Sequence, residues 1–271
     1  MTDLLTVDLA RRGRRPGWWL YAERRVYAMK SYWTSVVGFG LLTPVLYLIS
    51  LGMGLGSLVD ATSGGIGGVG YLQFVAPGLL VSSVVMESTQ ELTFPVMAGF
   101  KWQRTYFGVQ ATPITPTQIA TGEALAVGLR MLAQALIFWL VLVVFGATHS
   151  STSALMVPIA ALAAMAFGTP LMAYSATLEN EGAQFAFIQR FIVMPMFLFA
   201  GTFYPLESMP VSLQWIGWIS PMWHGTQLAR AVGFGLPVPG WLIAVHLGFL
   251  LVCLVGGLLA AVRTFERRLT R

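Results

Sequence analysis

The sequence is poor in charged residues. Only 10% of its 271 residues are Asp, Glu, Lys or Arg, whereas 56% are hydrophobic. Soluble domains carry about 25% charged residues, so this chain has too few charges to cover a water-facing surface. We therefore expect hydrocarbon to surround much of it, and no sizeable soluble domain beside the spans. Any large catalytic domain is expected on another polypeptide.

The residues that usually carry chemistry are also scarce. There is one cysteine, Cys253, which lies in an apolar run and has no partner for an intrachain disulfide. The three histidines, His149, His224 and His246, are scattered. Phosphate-binding loops, His-Glu-x-x-His and a nucleophile elbow are all missing from the sequence. We therefore expect no catalytic residue, no metal site and no cofactor in this chain.

The basic residues lie mainly on one side of the predicted spans. Of 16 Lys and Arg residues, seven precede the first span, two fall in 96–116, one in 179–190 and four in the C-terminal tail. Arg130 lies inside a span, and only Arg230 lies on the opposite side. The positive-inside rule then places both termini in the cytoplasm of a multi-pass protein of the inner (plasma) membrane. The net charge of +5 thus reflects topology at the bilayer rather than nucleic-acid binding.

Hydropathy predicts an all-α membrane protein with six transmembrane helices. Residues 1–34 form a cytoplasmic tail with an interfacial helix, 35–262 form the six-span transmembrane domain, and 263–271 form a basic cytoplasmic tail. The third span is expected to begin near Thr117, a plausible N-cap. The predicted spans are 35–57, 70–95, 117–146, 153–178, 184–204 and 239–262.

The segment 17–33 has the pattern of an amphipathic helix lying at the headgroup level. Its alternative is an ordinary basic flank of the first span. At about 100° per residue, Arg24 and Arg25 fall away from one predominantly apolar stripe. The residues of that stripe are Trp18, Ala22, Val26, Met29 and Trp33.

Four charged residues lie in or near the predicted spans. Glu87 and Glu91 are one helical turn apart, about 6 Å along the axis. Glu123 and Arg130 are two turns apart in the third span, where they predict a bridge to a neighbouring span. Charges at this depth usually pair or line a pathway. We favour structural pairing of the two glutamates with the 96–116 link or the N-terminal basic helix over a proton relay.

Two segments outside the regular spans are distinctive. The cytoplasmic link 96–116 mixes aromatic and basic residues, which favours a short amphipathic helix that docks onto a partner, although a solvated loop has the same polarity. The outer segment 205–238 is rich in Trp, Gly and Pro. It predicts short re-entrant or interfacial helices, and an aromatic belt at the membrane surface is compatible with them.

Several stretches resemble a known family. RFIVMPMFLFAGTFYPLESMP at 190–210, ISPMWHGTQLAR at 219–230, EST at 87–89 and QATPITPTQIATGE at 110–123 are similar to the membrane subunit of type-2 ABC exporters. The branch they resemble contains nodulation lipooligosaccharide exporters and antibiotic-resistance permeases. The resemblance covers most of 35–262.

The resemblance implies a six-span half-transporter that pairs with a second permease, either a copy of itself or a paralogue. It also implies two ATPase subunits, which would hold ATP and Mg. The expected activity is outward movement of an amphipathic substrate, such as a lipid-linked saccharide, a glycolipid or a drug-like molecule. A proton-coupled secondary transporter that uses Glu87 and Glu91 is the alternative.

The family's working parts match three sets of residues in this sequence. The coupling helix, within 98–112, would contact the ATPase through Gly99, Lys101, Trp102, Arg104, Tyr106, Phe107 and Gln110. The candidate substrate path comprises Phe39, Tyr47, Glu87, Phe191, Met194 and Phe197. The outer gate, beside re-entrant helices in 206–236, comprises Phe203, Tyr204, Trp215, Trp223 and His224.

Overall fold

The computed structural model describes residues 16–29, 38, 42, 45–66, 68–148, 150–179 and 182–270. Over these residues the protein is helical, and the only β-type pairing within them is an isolated bridge between Ile66 and Val69. The all-α prediction is confirmed. The helices are α1 (Gly17–Met29), α2 (Val45–Ser63), α3 (Tyr71–Leu92), α4 (Phe94–Lys101), α5 (Thr105–Gln110), α6 (Pro116–Val144), α7 (Met156–Ser175), α8 (Gln184–Phe199), α9 (Val211–Trp218), α10 (Pro221–Gly233) and α11 (Gly240–Leu269).

Five stretches are long and apolar enough to cross a membrane. They are α2, α3 continued through α4, α6, α7 with the 3-10 turn Ser153–Leu155 before it, and α11. Helix α8 is apolar but shorter than the roughly 20 residues of a typical span. It ends at Phe199, before the predicted end of the fifth span at 204. The first predicted span lies partly outside the described residues.

Helix α6 begins with a capping box. The Thr115 hydroxyl accepts from the Gln118 amide at 3.3 Å, and the Gln118 side chain accepts from the Thr115 amide at 3.1 Å. Pro116 takes the first helical position, where its missing N–H leaves nothing unsatisfied. The predicted cap at Thr117 is therefore wrong by two residues. The Thr117 hydroxyl instead donates to Glu266 at 2.5 Å, which ties α6 to α11.

Two helices contain π-helical stretches, Leu48–Leu55 in α2 and Gln189–Val193 in α8. Within the described ranges no other helix has one. In α8 the stretch ends immediately before Met194 and Pro195. Proline has no N–H to donate into the preceding turn, so the helix is already weakened at this point.

Helix α7 is the centre of the bundle and packs against α3, α6, α10 and α11. Its buried residues are mostly small, among them Ala160, Ala164 and Gly168. Small residues allow helix backbones to approach closely in a membrane. At Gly257 of α11, an added Cβ would lie 2.4 Å from the Pro170 Cδ and 2.5 Å from its nitrogen. The α7–α11 contact is therefore backbone against backbone.

The packing of α1 corrects one sequence prediction. Tyr21, Ala22 and Met29 are buried against the bundle, while Trp18 and Val26 are 39% and 43% exposed. The predicted stripe therefore does not form one packed face. Arg25, predicted to point away from the stripe, instead reaches Glu123 of α6. At about 100° per residue Arg25 lies only about 20° from Trp18, so the helical period places it beside the stripe and the prediction was wrong. The last residue of the stripe, Trp33, lies outside the described residues.

Two neighbouring glycines of α11 test this packing. We expect Gly257→Ala to destabilise the protein by about 1–3 kcal/mol, because the new methyl group meets the Pro170 backbone. Gly256→Ala is the matched control, since nothing lies within 4 Å of its Cβ position. That substitution should leave stability unchanged or raise it by about 1 kcal/mol. Thermal unfolding in one detergent measures both; equal melting temperatures would contradict the close α7–α11 contact.

Candidate coupling surface and transport path

A buried carboxylate joins α1 to α6. Glu123 has only 1% of its side chain exposed. The Tyr21 hydroxyl donates to its Oε2 at 2.7 Å, and the Arg25 Nε donates to its Oε1 at 3.0 Å. Both donors lie on the face of α1 that packs against α6. Glu123 thus holds the surface helix in one orientation.

The same network continues into α3. Arg130 of α6 donates to Glu87 at 2.5 Å and forms an ion pair with Glu91. Glu91 also accepts from Arg25 at 3.4 Å and so connects the two arginines. The predicted pairing of Glu91 with the N-terminal helix is confirmed. Glu87 pairs with Arg130, which was not among its predicted partners. Glu123 and Arg130 each bridge to a neighbouring helix. We call Arg25, Glu87, Glu91, Glu123 and Arg130 the ion network.

The link 96–116 is held from inside by an aromatic cluster. The Tyr106 ring lies 4.5 Å from Phe100, 5.1 Å from Phe265 of α11 and 6.4 Å from Tyr21 of α1, between ring centroids. A Cβ at Gly99 would lie 2.4 Å from the Tyr106 ring, so only glycine fits there. Burial raises the pKa of the Tyr106 phenol well above its usual value, which keeps it neutral. Gly99 and Tyr106 therefore anchor the link internally.

The opposite side of the link is exposed. Trp102 is 44% exposed and packs at 5.1 Å against Phe94, which is itself exposed. Phe107 and Arg104 are exposed as well, and the Arg104 guanidinium lies 5.9 Å from the Phe107 ring. The predicted coupling residues thus fall into two groups. Trp102, Arg104 and Phe107 are exposed, whereas Gly99 and Tyr106 form the internal anchor. Lys101 and Gln110 are half-buried. We call Phe94, Trp102, Arg104 and Phe107 the coupling surface.

Arg104 occupies an unusual backbone conformation. It precedes α5 with φ +50° and ψ 26°, and it is the only non-glycine residue with positive φ among those described. A side chain in this left-handed region costs about 1–2 kcal/mol. The conformation turns the chain sharply between α4 and α5, and exposed Trp102 and Phe107 lie on either side of this turn in the sequence.

Predicted path and gate residues meet at one point. The Phe197 ring of α8 lies 6.5 Å from Tyr47 of α2 and 5.1 Å from Phe203. This cluster joins both π-containing helices to the start of the outer segment. The Tyr204 hydroxyl donates to the Leu198 carbonyl at 3.2 Å.

The other predicted path and gate residues are dispersed. Phe191 and Met194 lie on the exposed face of α8, and Trp215 is exposed on α9. Glu87 belongs to the ion network, with 40% of its side chain exposed. Phe39 is outside the described residues. The structure therefore brings together only part of the predicted path.

In the outer segment, two histidines face each other. The His224 Nε2 lies 3.0 Å from the Trp218 carbonyl, and its Nδ1 lies 2.7 Å from the Nδ1 of His246 in α11. A carbonyl only accepts, so the proton of His224 sits on Nε2 and its Nδ1 accepts from His246. The neutral pair then leaves the His246 Nε2 as an acceptor. These contacts fix α10 to α11.

Sequence reasoning missed the role of Arg230. This side chain of α10 is 1% exposed, and its guanidinium lies 3.8 Å from the Phe74 ring of α3. It donates to the carbonyls of Phe74, Gly201 and Thr202 at 3.2, 2.7 and 3.2 Å. Arg230 thereby binds the end of α8 to α3. The sequence did contain one signal for this role. Arg230 is the lone basic residue on the predicted outer side, and it stands between two alanines.

The chain was compared with known proteins. The profile of the family described as "ABC-2 type transporter" matches residues 17–234. The chain belongs to the ABC-2 type transporter family. The family is a membrane component of transport rather than an enzyme, and its several apolar helices agree with a multi-pass membrane protein. The expected resemblance to type-2 ABC permeases is confirmed.

Individual relatives of this family member align over nearly their whole length. Nodulation protein J of Rhizobium leguminosarum bv. viciae is 29% identical over 93% of this chain and 95% of its own. Nodulation protein J of Neorhizobium galegae is 28% identical over 93% and 94%. The inner membrane transport permease YadH of Escherichia coli K12 is 23% identical over 85% and 90%.

Arg130 offers a test of the ion network. We expect Arg130→Met to cost about 3–5 kcal/mol, because it leaves two carboxylates in the bundle without their shared cation. Glu87→Gln should cost under about 1 kcal/mol, since Glu87 is partly exposed and Arg130 keeps Glu91. Combining them should be less damaging than Arg130→Met alone. Chemical unfolding in mixed micelles measures all three; strictly additive effects would show that Glu87 and Arg130 do not interact.

A second pair of variants tests the backbone at position 104. Arg104→Gly and Arg104→Ala remove the same charge, but only glycine adopts positive φ without strain. We expect the glycine variant to be more stable than the alanine variant by about 1 kcal/mol. The difference between the melting temperatures of the two variants measures this effect. An alanine variant that is the more stable would mean that the turn does not use the left-handed conformation.

Proposed function

We propose that this chain is the permease subunit of an ATP-driven ABC exporter that moves an amphipathic substrate outward. The observation that supports the proposal best is the coupling surface on its internal anchor. Exposed Trp102, Phe107 and Arg104 provide the residue types that dominate protein interfaces. Relatives of the chain include a transport permease, and membership of the family implies a separate ATPase.

The partner in this proposal is an ABC ATPase, with two copies per transporter that hold ATP and Mg. Movement of the ATPase would act on the coupling surface and reach the helical bundle through the contacts of the internal anchor, Gly99 and Tyr106. Tyr106 touches Phe265 of α11 and Tyr21 of α1, and Tyr21 binds Glu123 of α6. Movement of the link would therefore reach three helices at once.

The proposed topology has six spans in the plasma membrane and both termini in the cytoplasm. Helix α8 serves as the fifth span, and 206–236 forms the outer re-entrant segment. The basic end of α11, with Arg267 and Arg268 in its last turn, lies on the cytoplasmic side with the coupling surface. Tyr106 and Phe265 are in contact, so the two cytoplasmic assignments agree with each other.

A second permease, either a copy or a paralogue, would cover the exposed faces of α2 and α8. On α8 these are large apolar side chains on both sides of the π-helical stretch. The substrate would enter from the inner leaflet between α2 of one permease and α8 of the other, close to the Tyr47–Phe197 contact. The exposed side chains of α8 are Phe187, Phe191, Met194 and Leu198.

The proton-coupled alternative depends on protonation of Glu87 and Glu91. Both carboxylates bind Arg130 and connect α3 to α6. This arrangement favours a structural role and gives no observation in support of a relay. Transport that continues without ATP and stops when the proton gradient collapses would identify the alternative.

The ATPase assignment is tested with the full chain co-expressed with its cognate ATPase subunit and purified in nanodiscs. We expect Trp102→Ala and Arg104→Glu each to weaken ATPase binding by at least tenfold, because they remove an aromatic anchor and reverse a charge. Substrate-independent ATPase stimulation should fall in parallel. Co-purification and ATP hydrolysis are the measurements.

The control is Trp241→Ala at the opposite end of α11. Trp241 is 69% exposed and lies far along that helix from Phe265, so ATPase binding should not change. If both coupling-surface variants bind and stimulate the ATPase as the wild type does, the assignment of the surface is wrong.

A further inference from the structure

Two buried histidines join α10 to α11. His224 and His246 are 5% and 1% exposed, and their Nδ1 atoms lie 2.7 Å apart. The Phe249 ring stacks on His224 at 4.1 Å between ring centroids, and the Trp223 ring lies 5.1 Å from His246. The pair is therefore enclosed by aromatic rings rather than by water. It shares no residue with the ion network or with the coupling surface.

The contact between the two Nδ1 atoms depends on how many protons the pair carries. At 2.7 Å one nitrogen donates and the other must offer a lone pair. One added proton is compatible with this bond, because a charged ring still donates to a neutral one. Two added protons place a hydrogen on each Nδ1, and the facing N–H groups then repel each other. The doubly charged pair therefore requires the two rings to separate.

The charged groups nearest the pair do not provide a counter-ion. Arg230 of α10 and Glu207 line the same cavity as His246. Arg230 is itself a cation, and its guanidinium binds three carbonyls. Glu207 is exposed to solvent. Within the described ranges neither histidine forms an ion pair.

The helices that pack against α10 and α11 supply no counter-ion either. Helix α7, the turn before it, α5 and α9 contain no Asp, Glu, Lys or Arg. The charged residues of α3 and α6 all belong to the ion network. Those of α11 itself begin at Arg263, about 25 Å along the axis from His246. The tyrosines of these helices are neutral near pH 5, because phenols ionise near about pH 10; they are Tyr71, Tyr106 and Tyr174.

We propose that the His224–His246 pair is a pH switch in the outer segment. The neutral pair holds the start of α10 on α11. The doubly protonated pair releases it, together with Trp218, the last residue of α9, whose carbonyl His224 binds. Arg230, nearly two turns further along α10, keeps the other end of that helix on α3. The proposal goes beyond the proposed function and uses the proposed topology only to say that the acid acts from outside.

The direction of the pH effect follows from the two end states. In the unfolded chain a histidine takes up its proton near about pH 6.5. The folded pair takes up protons less readily, because the charged rings lie away from water and the second meets the N–H of the first. Burial lowers the pKa of His224 below its usual value, although the Trp218 carbonyl acts in the opposite direction. The stabilisation by this contact is therefore complete above about pH 6.5 and is lost as the pH falls below it.

Nuclear magnetic resonance of the whole chain in nanodiscs tests the proton positions. The sequence has only three histidines, so isotopically labelled histidine gives few signals. The nitrogen shifts distinguish the Nδ1–H, Nε2–H and charged forms of the ring. At about pH 7.5 we expect His224 as the Nε2–H form and His246 as the Nδ1–H form. Acidification to about pH 4.5, two units below the ordinary value for histidine, should charge the pair in two coupled steps.

Hydrogen exchange measures the release of α10. Exchange rates corrected for their intrinsic pH dependence should rise across 211–224 as the second proton binds. They should stay low across 227–233, where Arg230 still holds the helix. This contrast distinguishes local release from unfolding of the whole bundle.

The variant His246→Asn tests the cause. The asparagine amide donates to neutral His224 and, after turning over, accepts from its charged form, so acid no longer breaks the contact. Between about pH 7.5 and about pH 5 we expect the melting temperature of the wild type to fall by about 5–10 °C more than that of the variant. His149→Asn also removes one histidine, and it should keep the pH dependence of the wild type.

Three results would overturn the proposal: a pair that takes up fewer than two protons by about pH 4.5, two charged rings with unchanged exchange across 211–224, or a folded His246→Asn variant as sensitive to acid as the wild type. The first two need only the wild type. None of them bears on ATPase association. Conversely, coupling-surface variants that bind the ATPase normally would overturn the proposed function and leave the pH switch to be judged on these measurements.

Discussion

The cost of placing charge inside an apolar bundle governs this structure. Removing an ion from water costs several kcal/mol, and only close opposite charges offset it. Glu123 therefore obliges α1 to turn Arg25 inward. Tyr21 lies one turn earlier on the same face, so its ring comes to rest against Tyr106. The position of the link 96–116 follows from that contact. One set of ion pairs thus sets the orientation of α1, of α6 and of the link.

The two ends of the bundle are fastened by different chemistry. At the end where α1 packs, carboxylates and guanidinium groups join α1, α3 and α6. At the other end, Arg230 instead binds backbone carbonyls, which holds α10 to α3 and to the residues that follow α8. Helix α7 lies between the two ends and packs against α3, α6, α10 and α11. Helices α2 and α8 pack mainly against their own neighbours in the chain, α3 and α9, and keep exposed apolar faces.

Hydropathy was sufficient to predict α3, α6, α7 and α11, because the apolar length of a helix depends only on its own residues. The prediction failed where the position of a side chain depends on a partner that is distant in sequence. The ion pair of Arg25 is made with a residue 98 positions away, and nothing within 17–33 identifies that partner. Arg230 was missed because its partners are main-chain carbonyls, which every residue has. Among the coupling residues, the interface composition was recognisable, but the inward direction of Tyr106 was not, since it depends on Phe265 in the last helix.

The π-helical stretches in α2 and α8 have a consequence for the face that these helices show. Each such stretch accommodates a surplus residue relative to regular α-helical winding. Were it rewound as α-helix, every side chain on one side of it would rotate by about 100° and advance by about 1.5 Å. In α8 this would turn Phe187 relative to Phe197 without bending the helix. A helix of this kind can exchange the residues on its surface by a change of register alone.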